Sequence, residues 1–91
     1  MFYTISYDIS DDSRRNAVSK ILESYGTRVQ FSVFECNLTA EQIRELLQKL
    51  EAVINTDQDS VRCYPLCNAC LENVTRIGGP PITGEATYYV T

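Results

Sequence analysis

The stretch FYTISYDISDDSRR, residues 2–15, contains one complete regular element and the beginning of the next. Apolar and polar side chains alternate over residues 2–9, which is typical of a strand with one buried face. The acids that follow are typical of a helix start, because carboxylates accept hydrogen bonds from free backbone N–H groups. We predict a strand with one face formed by Tyr3, Ile5, Tyr7 and Ile9, and the other by Phe2, Thr4, Ser6 and Asp8.

A helix is predicted next, with Ser10, Asp11 or Asp12 as its N-cap and Gly26 at its C′ position. The segment RVQFSVFEC, residues 28–36, alternates again and contains no Gly, Pro or Asn to mark a corner. The segment is either one long strand or two short strands with a corner near Gln30–Ser32, and the residues alone favour the single strand. Phe34 is then predicted on a half-polar face of the sheet that it shares with Phe2.

The second half of the chain repeats the pattern of helix and strand. Thr39 and Gln42 form a capping box, and a second amphipathic helix follows. Strands are predicted at residues 60–65 and at ENVTRI, residues 72–77, and EATYYVT, residues 85–91, is a β-prone tail. This order predicts an α+β fold, with two helices on one face of a mostly antiparallel sheet.

Composition limits the classes of function. The chain has 91 residues, enough for one domain, and twelve acids against eight bases give a net charge of −4. This charge disfavours bulk attraction to nucleic acid, so phosphate binding would depend on local arginine clusters. The absence of an apolar run or an export signal predicts no membrane contact, a cytoplasmic location and reduced cysteines.

Three cysteines, Cys63, Cys67 and Cys70, have the spacing C-x3-C-x2-C. The same spacing binds iron–sulfur clusters in radical enzymes, but this chain is too short for the barrel that those enzymes use. A zinc site with Cys36 as fourth ligand is an alternative. The favoured interpretation is that the cysteines are buried, reduced thiols that pack as small apolar side chains.

Asp8 has two interpretations, a turn residue that caps the following loop or a metal ligand. One carboxylate is a poor magnesium site, but a two-fold dimer through the polar sheet face would bring two copies of Asp8 together. Arg14 and Arg15 lie in the first helical turn, where their charge opposes the helix dipole. Two interpretations of these arginines stay open: they face an anionic ligand, or they are solvated side chains that pair with Asp11 and Asp12.

Two motifs together, YDISDDSRR at residues 7–15 and GTRVQFSVFEC at residues 26–36, resemble the CRISPR-associated endonuclease two family, the small proteins of spacer acquisition. The resemblance implies a ferredoxin-like fold and a homodimer built through the sheet faces. It implies a tight hairpin within residues 28–36, against the single strand favoured above. The domain then covers residues 1–79, and residues 80–91 form a tail or strand that pairs with the partner subunit.

The resemblance also implies functional residues. Asp8 becomes the catalytic ligand of a magnesium ion. We rank first an adaptor that binds duplex DNA and bridges subunits of the CRISPR integrase, with a weak magnesium-dependent endonuclease activity on RNA or DNA beside it. The alternative is a toxin-like or orphan ferredoxin-fold dimer without a nucleic-acid role. The predicted nucleic-acid-binding residues are Tyr7, Arg15, Arg28, Ser32 and Phe34 by motif position, and Arg14 by its place in the first helical turn.

Overall fold

The computed structural model describes residues 1–82 of the chain. The structure has four strands in one antiparallel sheet, in the spatial order Thr27–Gln30, Val33–Asn37, Phe2–Asp8, Ser60–Leu66. This is the predicted α+β, ferredoxin-like arrangement. The predicted tail segment, residues 85–91, lies outside the described residues, and the domain boundary at residue 79 stays a prediction. The elements are β1 (Phe2–Asp8), α1 (Asp12–Glu23), β2 (Thr27–Gln30), β3 (Val33–Asn37), α2 (Ala40–Val53), β4 (Ser60–Leu66) and α3 (Asn68–Glu72).

The hydrophobic core lies between the sheet and the two long helices. The predicted apolar face of the first strand is confirmed, since Ile5 and Tyr7 of β1, and Ile9 directly after it, are buried in the core. Each large apolar side chain removed from water stabilises the fold by about 1.5–3 kcal/mol. None of the helices in the described part of the chain is long and apolar enough to cross a bilayer. Among the described residues, the apolar ones with 0% exposed surface are Ile5, Val18, Leu22, Phe34, Cys36 and Leu46.

Local signals define the starts of both long helices. The Asp11 carboxylate accepts a hydrogen bond of 2.9 Å from the N–H of Arg14, so Asp11 is the N-cap of α1. The predicted capping box of Thr39 and Gln42 is confirmed, with reciprocal hydrogen bonds at the start of α2. Both caps satisfy N–H groups that have no partner inside the helix.

Gly26 has a different role from the predicted C′ residue. The C-cap of α1 is Ser24, so Gly26 stands one position beyond C′, and its φ is not positive. A Cβ atom on Gly26 would lie 2.3 Å from the carbonyl oxygen of Glu35 and 2.5 Å from Sγ of Cys36. Glycine is therefore required here by the close approach of β3, and not by left-handed backbone conformation.

Residues 28–36 are two strands, so the single strand favoured by the residues alone is wrong and the hairpin implied by the family resemblance is confirmed. β2 and β3 are joined by Phe31 and Ser32, with a register irregularity between Arg28 and Gln30. No residue of this turn has a positive φ. Its conformation therefore needs no Gly or Asn, and the corner leaves no signal in the sequence.

Phe34 does not lie on the open face of the sheet, which corrects the prediction. Its Cα partner on β1 is Ile5, and residues directly opposite across two strands point to the same face. Phe34 consequently lies under the helices with 0% of its surface exposed. Alternation shows which residues share a face, but only the pairing register shows which face the helices cover.

Two predictions for the segment after β4 are also wrong. Residues 72–77 form no strand, because they pair with no edge in the described part of the chain, and the helix α3 at Asn68–Glu72 was not predicted. Burial of all the cysteines is wrong as well. Cys36 is buried and Cys63 is half-buried, whereas Cys67 and Cys70 are exposed.

Candidate functional site

Most of the predicted site residues meet at one end of the sheet. β1 ends there at Asp8, whose Cα partner is Ser60 at the start of β4. The turn at Phe31 and Ser32 lies beside it, since the N–H of Tyr7 donates to the carbonyl of Ser32 at 3.1 Å. The N-terminus of α1 follows Asp8 after a loop of three residues. The fold therefore gathers one carboxylate, three arginines and the hairpin tip into one region.

Asp8 is exposed, and within residues 1–82 its carboxylate makes no hydrogen bond or ion pair. The N-cap of the helix that follows is Asp11. The described residues show no hydrogen bond that supports the turn-residue interpretation of Asp8, and its role as a metal ligand stays a prediction.

Arg14 is held by a buried carboxylate. Its Nε lies 2.8 Å from Oδ2 of Asp59, and its second guanidinium nitrogen lies 3.2 Å from Oδ1. The side chain of Asp59 has no exposed surface, and its Oδ2 also accepts from the N–H of Asn55 at 2.8 Å. This bidentate pair fixes the loop between α2 and β4 to α1. Arg14 is thus a structural residue in this fold rather than a free phosphate ligand.

The Arg14–Asp59 pair predicts a specific pH dependence of stability. The hydrogen bonds from Arg14 and from the N–H of Asn55 lower the pKa of the Asp59 carboxyl. The contribution of this ionised carboxyl to stability is therefore complete above its pKa in the unfolded chain, about 3.9. It is lost as the pH falls through the lower pKa of the folded state. We expect Asp59→Asn to have a lower urea midpoint than wild type at pH 7. The difference between the two midpoints should be smaller at about pH 3, where the wild type has lost part of the contribution of the pair.

Asp57→Asn is the matched control for this experiment, because Asp57 is exposed in the same loop. This control should follow the wild-type curve at both pH values. Equal losses of stability in wild type and Asp59→Asn on acidification would contradict the assignment of the ionised pair.

Arg15 supports the loop that follows Asp8. Its guanidinium donates to the carbonyls of Ile9 and Ser10 at 3.2 and 3.3 Å, and it forms an ion pair with Asp12. The predicted pairing of the first-turn arginines with Asp11 and Asp12 is therefore present. About two fifths of the Arg15 side chain stays exposed, at 39%. Arg15 can contact a ligand placed outside the loop without leaving its carbonyl partners.

Arg28 and Tyr7 hold the hairpin tip. The carbonyl of Phe31 accepts from both side chains, from Tyr7 Oη and from the guanidinium of Arg28, each at 3.3 Å. Arg28 also donates to the hydroxyl of Ser19 and lies 5.3 Å above the ring of Phe34. These contacts across β1, α1 and β3 define a turn that the local sequence does not specify.

The predicted nucleic-acid residues differ in accessibility. Phe34 has no exposed surface and Tyr7 only 6%, so their rings support the hairpin from inside and stack on each other with centroids 6.4 Å apart. Arg28 is exposed and Ser32 is half-buried. Sequence reasoning missed Phe31, whose surface is 89% exposed at the hairpin tip. An aromatic residue inside an alternating segment gives no sign of a turn, so no signal could have found it.

The open face of the sheet begins at Asp8 and has the predicted mixture of polar and apolar side chains. Along β1, Thr4 lies between Glu35 and Tyr64, and Ser6 lies between Val33 and Arg62. Tyr64 is 47% exposed on this face. This face therefore combines charged and hydroxyl side chains with aliphatic and aromatic ones, as the sequence predicts.

Comparison with known proteins gives the family. The model for CRISPR associated protein Cas2 matches residues 1–74. The chain belongs to the Cas2 family. A curated relative, the CRISPR-associated endoribonuclease Cas2 1 of Chloroflexus aurantiacus, is 47% identical over 99% of this chain and 100% of its own. The family resemblance stated from the two motifs is therefore confirmed.

Solved Cas2 structures share the fold. Streptococcus pyogenes Cas2 matches with a TM-score of 0.75 and 31% identity, over 86% of this chain and 100% of its own. A chain from a partial Cas6-RT-Cas1–Cas2 complex matches with a TM-score of 0.75 and 36% identity, over 89% of this chain and 94% of its own.

Within residues 1–82 of this Cas2-family chain, no group of three or more His, Cys, Asp or Glu side chains is arranged to hold a metal ion. Magnesium keeps several waters and needs only one or two carboxylates from protein. Asp8 supplies one exposed carboxylate at the end of β1.

Proposed function

We propose that this chain acts in CRISPR spacer acquisition as a dimeric adaptor that binds duplex DNA and bridges subunits of the integrase. The family supports this role, and so does the likeness to a chain from a complex that contains Cas1. The observation that carries it is the arrangement at the end of β1, where Asp8 has no partner and exposed arginines lie on the neighbouring elements.

The proposed dimer is formed through the open faces of two sheets. Its two-fold axis passes near Asp8, so that the two carboxylates approach each other. Two carboxylates that lie close together repel each other, so they must bind a shared cation or share a proton. Formation of this dimer and binding of the metal are therefore coupled. The tail, residues 80–91, is proposed to pair with the partner's sheet or to contact the integrase by strand addition.

We also propose a magnesium-dependent endonuclease activity on RNA or DNA, in keeping with the names of the curated relatives. The two copies of Asp8 would hold the cation. When bound, it supplies Lewis-acid stabilisation of the negative charge on the scissile phosphodiester. The chain contains no histidine, so no imidazole can act as general base. We therefore expect slow turnover.

Arg15 and Arg28 are the proposed phosphate ligands. Both side chains keep exposed surface, at 39% and 43%. A guanidinium has five N–H donors, and the contacts described above leave some of them free for phosphate oxygens. Phe31 adds an exposed ring at the same end of the sheet, suited to stacking on an unpaired base. Arg14 is withdrawn from the set, since Asp59 occupies its guanidinium.

The salt dependence of duplex binding tests this proposal. Each phosphate contact changes the slope of log K against log salt by about 0.9, and a dimer contains every arginine twice. We expect Arg15→Ala and Arg28→Ala each to weaken duplex binding and to reduce the slope by about two units. Fluorescence anisotropy with a labelled duplex, recorded over a series of salt concentrations, measures both quantities.

Arg44→Ala is the matched control, because Arg44 is an exposed arginine on α2 and the substitution removes the same charge. The control should keep the wild-type slope. If all three variants keep it, the two arginines do not contact phosphate. If wild type binds no duplex under any salt condition, the alternative of a ferredoxin-fold dimer without a nucleic-acid role replaces the proposal.

A further inference from the structure

The four cysteines of the chain, all free thiols, fall into two classes. Cys36 lies in the core, where burial raises the pKa of its thiol to about 11. Cys63 pairs across the sheet with Ile5 and packs against the same core. Cys67 and Cys70 are both exposed, one directly before α3 and one inside it. This second pair is the more accessible to a reagent in solution, since Cys63 is half-buried.

Cys67 and Cys70 lie on one turn at the start of α3. The turn between them is closed by a hydrogen bond of 2.9 Å from the N–H of Leu71 to the carbonyl of Cys67. Hydrogen bonding from Cys70 lowers the pKa of the Cys67 thiol, and the nearby Cys67 raises the pKa of the Cys70 thiol. Cys67 is therefore the thiol of the pair that ionises first.

We propose that Cys67 and Cys70 form a reversible dithiol–disulfide pair that reacts with low-molecular-weight disulfides. The geometry that carries this proposal is the C-x2-C spacing, the single hydrogen-bonded turn that joins Cys67 to Cys70 and the exposure of both residues. Neither cysteine belongs to the core cluster, so oxidation leaves the core packing unchanged.

The reaction has two steps. The Cys67 thiolate attacks one sulfur of an external disulfide R–S–S–R, which forms a mixed disulfide and releases one thiolate R–S⁻. The Cys70 thiol gives its proton to that thiolate, and its sulfur then attacks Cys67 and releases the second R–S⁻, which takes a proton from water. Two electrons pass from the protein to the external disulfide, and two molecules of R–SH leave.

The pair is remote from the proposed nucleic-acid site. Asp8 lies opposite Ser60, the first residue of β4, whereas Cys67 follows Leu66, the last residue. A strand of seven residues separates the two regions by roughly 20 Å. The proposal is thus independent of the proposed function, and α3 places the pair at the junction between the sheet and the C-terminal segment.

The experiment treats the folded full-length chain with oxidised glutathione, blocks the remaining thiols with N-ethylmaleimide in acid, and maps the products by mass spectrometry. In wild type and in the control Cys63→Ser, we expect a Cys67–Cys70 disulfide that dithiothreitol reverses. Cys70→Ser should accumulate a glutathione adduct on Cys67, because the second step is blocked. Cys67→Ser should react at least several-fold more slowly than Cys70→Ser.

Circular dichroism of each variant before oxidation establishes that the chain is folded. A folded wild type that forms no internal disulfide would overturn the proposal. So would a disulfide that includes Cys63, or an adduct that forms on Cys70 faster than on Cys67.

Discussion

Asp8→Asn is expected to reduce magnesium-dependent cleavage of nucleic acid by at least about 100-fold. Asparagine keeps the shape of the side chain but removes both proposed anionic ligands of the cation, and the Lewis-acid contribution lost with it is several kcal/mol. Folding should be unaffected, because the carboxylate supports nothing within the described residues. The dimer should persist, and duplex binding through Arg15 and Arg28 should persist with it.

The measurement combines cleavage assays, with magnesium and with a chelator, and sedimentation of wild type and Asp8→Asn at the same concentration. Asp57→Asn is the control, since it removes one exposed carboxylate outside the site. Full cleavage by purified Asp8→Asn would remove the catalytic role of Asp8. A wild type that sediments as a monomer would remove the paired-carboxylate site, because one copy provides only half of it.

Phe34→Ala is expected to have the largest effect on stability, a loss of about 3–5 kcal/mol in the free energy of unfolding. The ring has 0% exposed surface and packs against Tyr7, and it lies beneath the guanidinium of Arg28. The loss would remove a large part of the 5–15 kcal/mol that stabilises a typical domain. Urea denaturation followed by circular dichroism, at one fixed protein concentration, measures it.

Phe31→Ala is the matched control, because it removes the same kind of ring from a position that is 89% exposed and lies three residues before Phe34. Its effect on stability should stay within about 0.5 kcal/mol. Phe34→Leu separates the two roles considered for Phe34, since it retains an apolar side chain in the core. A folded Phe34→Leu variant should bind duplex as wild type does, and loss of its binding would show that the ring is needed for binding, either directly or by positioning Arg28.

The sequence by itself determined the elements whose signals are local. The alternation in residues 2–9 predicted the buried face of β1, and the capping box of Thr39 and Gln42 predicted the start of α2. Two short motifs were enough to indicate the family and, through it, the hairpin. Asp8 could be singled out because an acid at the end of a strand is visible without tertiary information.

Only the tertiary structure decided the features that depend on contacts between distant residues. The turn at Phe31 and Ser32 is held by Tyr7, 24 residues away in the chain, and has no glycine or positive φ to mark it. Arg14 is joined to Asp59 across 45 residues, and no local pattern distinguishes it from Arg15. Periodicity and capping are properties of neighbouring residues, whereas the covered face of a sheet and the partner of an arginine are set by the pairing of strands and the packing of helices.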